Sequence, residues 1–113
     1  MGNIDSVELV EKWVFADLSS STFSEGEQER VLDDIDELEE HLTVWGRQLT
    51  KCVKILSNTG GETVYRRREG DLRSYFIRDG DTLYCIGIGK RKKTFDRDLT
   101  RVVERAKEHR SES

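Results

Sequence analysis

The sequence has no proline, one methionine, two histidines and two cysteines. Without proline, no strand or helix interior is broken by a fixed φ or a missing backbone donor, so continuous ladders and unkinked helices are open to the whole chain. Two cysteines, Cys52 and Cys85, are too few for a disulfide scaffold; they sit in apolar surroundings with no partner at metal-ligand spacing and read as free thiols. His41 and His109 lie near helix ends and far from the basic strands in sequence, so neither a nucleophilic triad nor a zinc site can be assembled, and no metal or cofactor is expected. Apolar runs long enough to span a bilayer are missing too. The N-terminal stretch from Met1 to Trp13 is charged throughout with no apolar h-region, so no secretory leader is expected and a cytoplasmic chain is. Its Met-Gly start with Ser6 is a chance match to a myristoylation signal.

What is abundant is charge. Charged residues make up 37% of the chain against 35% hydrophobic, a globular balance that suits one modest domain over 1–113. The net charge of −4 conceals a division, since residues 1–50 carry −10 and residues 51–113 carry +6. A basic half of this kind points to a polyanion or an acidic partner, against the plainer reading of a solvated surface of both signs.

Along the chain, Trp13, Val14 and Phe15 predict a strand over roughly Lys12 to Asp17, while Val7-Glu8-Leu9-Val10 fits a helical turn nearly as well. Ser19 to Thr22 breaks the pattern. Ser24-Glu25-Gly26-Glu27 has the form of a capping box, and it opens a helix with an apolar stripe of Val31, Leu32, Ile35, Leu38 and Leu42. The carboxylates between them, Asp33, Asp34, Asp36, Glu37, Glu39 and Glu40, are expected to form a solvated face rather than a metal or acid–base cluster. His41 is expected to complement the helix C-terminus. After a break at Trp45-Gly46, the residues Leu49, Cys52, Val53, Ile55 and Leu56 suggest a second short helix. Ser57 to Gly61 is a turn.

Three strands follow, at 62–68, 72–78 and 82–88, joined by turns at Glu69-Gly70-Asp71 and Asp79-Gly80-Asp81. Thr94 or Asp96 is placed to cap a final helix with an inner face of Leu99, Val102, Val103 and Ala106. The expected fold class is α+β: an N-terminal strand and helices packed on a twisted, mainly antiparallel sheet, with a short C-terminal helix.

Ile86-Gly87-Ile88-Gly89-Lys90 invites comparison with a phosphate loop and fails it. Tyr84 stands where the first glycine belongs, and Arg91 replaces the hydroxyl residue that holds magnesium. These glycines are expected to let the strand curve or meet another backbone closely. What carries chemistry is the cationic set Arg66, Arg68, Arg73, Arg91, Lys90, Lys92 and Lys93. Alternation places Arg66 and Arg68 on one face of their strand and Arg67 on the other with Tyr65. Guanidinium groups bind phosphate bidentately and can stabilise the extra charge of a pentacoordinate phosphorus.

The ordered set of Cys52-Val53-Lys54-Ile55-Leu56, Gly60-Gly61, Val64-Tyr65-Arg66-Arg67-Arg68, Leu72-Arg73-Ser74-Tyr75-Phe76-Ile77, Asp79-Gly80-Asp81 and Ile88-Gly89-Lys90-Arg91-Lys92-Lys93-Thr94 resembles the RelE/ParE toxin superfamily, above all its HigB-like members. The resemblance implies a RelE-like fold and a type II toxin. Such a toxin is a ribosome-dependent mRNA endoribonuclease cutting in the A site by attack of a ribose 2′-OH on the adjacent phosphate, and it is held in check by an antitoxin protein. By that resemblance the catalytic positions are Arg66, Arg68, Arg73 and Arg91. Arg73 and Arg91 would hold the scissile phosphate, and Arg66 and Arg68 would orient the 2′-OH and stabilise charge. Lys54, Lys90, Lys92, Lys93 and Phe95 would contact RNA. Phe95 stands where the family often carries Tyr or His, and arginines stand where RelE has lysines, so proton transfer falls to Lys54, Lys90, Lys92 or Glu69. Two alternatives stay open: a ParE-type toxin that inhibits gyrase, and a member that only binds RNA or a partner.

Overall fold

Side chains of Leu72–Ile77 and Leu83–Ile88 alternate between two apolar environments and all but Tyr84 are buried, so the two hydrophobic strands there must be covered on both faces. The computed structural model describes residues 4–19, 23–57, 60–90 and 95–112, and within those ranges it leaves aside the side chains of 52–57, 60–62, 95–99 and 110–112. Strands β1 (Ser6–Leu9), β2 (Thr50–Ser57), β3 (Gly60–Glu69), β4 (Leu72–Asp79) and β5 (Thr82–Lys90) form one sheet in the order β1-β5-β4-β3-β2. Its only parallel pairing is β1 with β5. The helices are α1 (Glu11–Leu18), α2 (Glu25–Glu39), a short α3 (Trp45–Gln48) entered through a 3-10 turn at Leu42–Val44, and α4 (Phe95–Glu112). The α+β class and the mainly antiparallel sheet are as the sequence implies, with α4 running to 18 residues. Among the described residues no helix is long and apolar enough to cross a membrane.

Two expected elements change type. The segment 11–18 is a helix rather than a strand, because Val14, Asp17 and Leu18 fall on one buried helical stripe that local strand propensity hides. The N-terminal strand lies earlier, where Ser6 to Leu9 pair with Thr82 to Cys85. Tertiary pairing overrides the helical pattern there. Likewise 50–57 is a strand rather than a second short helix, paired with β3 from Thr50↔Arg66 to Ser57↔Gly60. A short apolar run does not distinguish the two by periodicity, and a hairpin partner decides it.

The sheet separates two cores. On the first face Val31, Ile35 and Leu38 of α2 pack with Leu72, Phe76, Leu83, Cys85 and Ile88. On the second face Val102 and Ala106 of α4 pack with Val64, Tyr75, Ile77 and Ile86. A bulge joins the two. Phe76 pairs with Cys85 and Tyr75 with Gly87, so Ile86 is the extra residue, and adjacent Cys85 and Ile86 enter opposite cores.

Helix α1 sits beside β5 beyond the end of β1, where the strand has lost its parallel partner. Side chains take over its hydrogen bonds. Asp17 Oδ2 accepts from the Ile88 amide at 2.9 Å, Arg105 Nη1 donates to the Ile86 carbonyl at 2.9 Å, and Arg101 Nη2 donates to the Ile88 carbonyl at 3.0 Å. Arg105 also grips both Asp17 oxygens, at 2.8 and 3.0 Å, so α1, β5 and α4 meet in one buried network. Gly87 makes room for it: a Cβ there would lie 2.9 Å from Val102 Cγ1 and 3.2 Å from Arg105 Nη1. The close approach at this glycine is therefore to helix side chains and not to another backbone.

The capping box is present as the sequence implies. The Glu27 amide donates to Ser24 Oγ at 3.2 Å, and the Ser24 amide donates to Glu27 Oε1 at 3.0 Å. Bonding from the Ser24 amide, and then from Lys90, holds the Glu27 carboxyl down at about 2, against 4.5 ordinarily. Ser24→Ala is expected to cost about 1 kcal/mol in urea denaturation. The Glu27 contribution has the sign of a depressed carboxylate, present above pH 4.5 and lost as pH falls toward about 2. Thermal melts of the wild type and Glu27→Gln should accordingly differ at neutral pH and converge in acid.

Candidate nucleic-acid interface

Strand β3 divides its three consecutive arginines as alternation requires. Arg67 turns into the first face, where Nε lies 2.9 Å from Asp34 Oδ2 and Nη1 lies 3.2 Å from Gln48 Oε1. Asp34 is buried and Arg67 mostly so, their side chains 4% and 11% exposed. Asp34 is thus the exception to the expected solvated acidic face of α2. Arg66 and Arg68 belong to the second face, opposite Tyr75 and Arg73 of β4.

Arg68 is exposed, whereas Arg66 is half-buried with its Nε enclosed and without a hydrogen-bond partner. The pairing of Arg68 with Arg73 sets like charges directly across adjacent strands, an arrangement that costs stability unless an anion offsets it. Arg73 itself is 4% exposed, and its Nη1 donates to the carbonyls of Gly70 at 2.8 Å and Leu72 at 3.0 Å. It therefore locks its own hairpin turn, where Gly70 adopts φ 59°, and its charge reaches the surface mainly as a field. From the other side, Arg30 of α2 approaches the same turn, its Nη2 3.2 Å from where a Gly70 Cβ would stand.

Ion pairing separates two groups among the described cations, with Arg73, Arg78 and Lys107 in neither. Lys12, Arg67, Lys90, Arg101 and Arg105 pair with carboxylates. Arg30, Arg47, Lys51, Arg66 and Arg68 make no ion pair. They flank the C-terminal half of β3 on both sides of the sheet: Arg66 and Arg68 belong to the second face, whereas Lys51 opposite Tyr65, Arg47 in α3 leading into β2, and Arg30 of α2 at the β3–β4 turn belong to the first. Sequence reasoning did not single out Arg30, Arg47 or Lys51, because isolated cations become a cluster only through the register.

Of the remaining sequence-derived candidates, Lys90 is carried away from the arginines. It opposes Leu72 on the first face, and its Nζ lies 2.9 Å from Glu27 Oε2 and 5.8 Å from the Phe23 ring. Arg91, Lys92 and Lys93 lie outside the described residues. Lys54 has its backbone in β2 opposite Thr63, and Phe95 opens α4, but the side chains of both fall outside the description.

Other chemistry is sparse. Cys85 is a core thiol that burial pushes up to about 12, which keeps it protonated and unreactive at neutral pH. Among the described residues no group of His, Cys, Asp and Glu is placed to hold a metal ion. His109 Nε2 stands 3.6 Å from Asp79 Oδ2, with its ring against Tyr84, far along α4 from the arginine face. Compared with protein-family models, curated proteins and solved structures, the chain matches none.

Proposed function

We propose that this chain is an RNA-acting toxin of a type II toxin–antitoxin pair, an endoribonuclease that cuts mRNA in the ribosomal A site in the cytoplasm and is neutralised by a cognate antitoxin. The reading joins the sequence resemblance to the RelE/ParE superfamily with one observation, the pair Arg66 and Arg68 on the second face of β3, which have no carboxylate partner among the described residues. Phosphate is the anion that such a guanidinium-rich surface holds best, because the planar fork matches its oxygens in pairs.

In the proposed step the ribose 2′-oxygen bonds to the adjacent phosphorus while the bond from phosphorus to the 5′-oxygen breaks. A proton leaves the 2′-oxygen and one reaches the 5′-oxygen, giving a cyclic phosphate and a 5′-OH. Arg66 and Arg68 hold the phosphate and offset the charge that builds on it, and Arg73 adds positive field from β4. Arginine does not accept the proton. Of the groups able to do so, Glu69 is exposed next to Arg68, and Lys54 and Lys92 remain candidates, while Lys90 is held by Glu27.

One observation favours a second reading, a toxin of ParE type that inhibits gyrase and cuts no RNA: the Arg73 guanidinium donates to carbonyls at the turn. Primer extension on an mRNA in a purified translation system separates the two. Cuts within A-site codons that need ribosomes, and that disappear in Arg66→Ala and Arg68→Ala, are the expected result. Uncut mRNA beside inhibited gyrase supercoiling would establish the second reading instead.

A further inference from the structure

We infer that the Trp45–Arg78 pair is a base-stacking subsite for single-stranded RNA, on the opposite face of the sheet from Arg66 and Arg68. The inference rests on RNA being the ligand of the arginine face. Trp45 begins α3 and is half-buried, with the Tyr65 ring meeting it nearly edge-on at 5.3 Å and 83°. The Arg78 guanidinium lies 5.4 Å from the indole centroid, while its Nε is fixed by the Gly80 carbonyl at 3.0 Å. A guanidinium over an indole is attracted by the ring's quadrupole, and its delocalised plane is a surface on which a nucleobase stacks.

Exposed Lys51 shares a rung with Tyr65 and exposed Arg47 lies two residues beyond Trp45, and neither makes an ion pair among the described residues. Aromatic planes flanked by free cations are the components by which proteins hold unpaired strands without reading sequence. Val44 beside Trp45 is 38% exposed and adds apolar surface.

The register connects this subsite to the phosphate face. Thr50↔Arg66 and Lys51↔Tyr65 are successive rungs of the outermost strand pair, so their side chains alternate between the two faces at the open edge of the sheet. A strand gripped at Arg66 and Arg68 has only that edge to pass before meeting Lys51, Tyr65 and Trp45. Duplex RNA keeps its bases stacked within the helix and cannot use the indole, so the ligand class is single-stranded.

Trp13→Phe leaves Trp45 as the only tryptophan, and its fluorescence can be titrated with an oligouridylate, a duplex RNA of equal length and inorganic polyphosphate. Saturable quenching by the oligouridylate alone is expected. In filter binding with labelled oligouridylate, Trp45→Leu should weaken binding about tenfold with the salt dependence unchanged, because stacking is lost and no phosphate contact is. Trp45→Tyr should restore most of it, and Arg78→Lys, which keeps the charge and loses the plane, should weaken it. Equal quenching by polyphosphate, or oligouridylate binding unaffected by Trp45→Leu, would overturn the inference and leave the arginine face standing. Absence of any RNA binding by the wild type would remove both.

Discussion

Asp17→Ala is expected to destabilise the fold by about 3–5 kcal/mol, the loss typical of a buried ion pair deprived of one partner. The carboxylate is 8% exposed and serves three groups. It neutralises Arg105, whose side chain is 12% exposed, it lies 3.3 Å from Arg101 Nε, and it accepts the Ile88 amide in place of a missing strand. Alanine would leave a guanidinium without its counter-charge and a buried amide without an acceptor, and water reaches neither at low cost. For a small domain stable by about 5–15 kcal/mol, that is a large fraction of the whole. Asp17→Asn separates the parts: it retains an acceptor for Ile88 and removes the charge, so its loss should be smaller. Urea denaturation measures both. Hydrogen exchange at the Ile88 amide should accelerate in the alanine variant beyond what global stability explains, because that is the bond removed. Equal midpoints for Asp17→Ala and wild type would mean that the network is not what joins α4 to the sheet.

That network also marks the limit of what local pattern reveals. The capping box at Ser24 and Glu27, the stripe of α2 and the two hairpins with glycine turns were legible because each is set by residues within a few positions of one another. Asp17 and Arg105 are 88 residues apart, and nothing near either announces the pairing. The same holds for Asp34 and Arg67. A carboxylate on a strongly acidic helix reads as solvated, and only the packing of α2 across β3 turns this one inward.

The exchange of helix and strand at 11–18 and 50–57 has a related cause. Trp13, Val14 and Phe15 favour a strand locally, yet β5 offers only one outer edge, and Ser6 to Leu9 occupy the part that residues 82–85 present. Whatever follows must fold back over the strand, and a helix is the element that can bury Val14 and Leu18 while aiming Asp17 at the exposed amide. At the candidate site, alternation sufficed to separate Arg67 from Arg66 and Arg68. It could not show that Arg73 would be spent on its own turn, nor that Lys90 would face Glu27, since both follow from which face α2 covers.

The second large effect concerns binding. Arg66→Ala/Arg68→Ala should reduce RNA affinity by at least about a hundredfold at moderate salt, since a hydrogen-bonded contact to a charged group is worth about 1.5–3 kcal/mol and two are removed. Magnitude alone does not identify the contacts as phosphate contacts, because a misfolded surface also loses affinity. Salt dependence does. Each phosphate contact released from a single strand lowers the slope of log K against log salt by about 0.7, so the double variant should show a slope shallower by about 1.4. Stability should stay near wild type or rise, because Arg68 faces Arg73 across the ladder and Arg66 has no ion pair to lose. Affinity, slope and stability thus move in a combination that unfolding cannot imitate. Arg67→Ala is the counterpart on the same strand: it leaves Asp34 buried and unpaired, so it should lower stability strongly and leave the salt slope of the folded fraction intact. If the two variants instead behaved alike, with lost stability and unchanged slope, the arginines of β3 would be structural on both faces, and the phosphate surface would have to lie elsewhere.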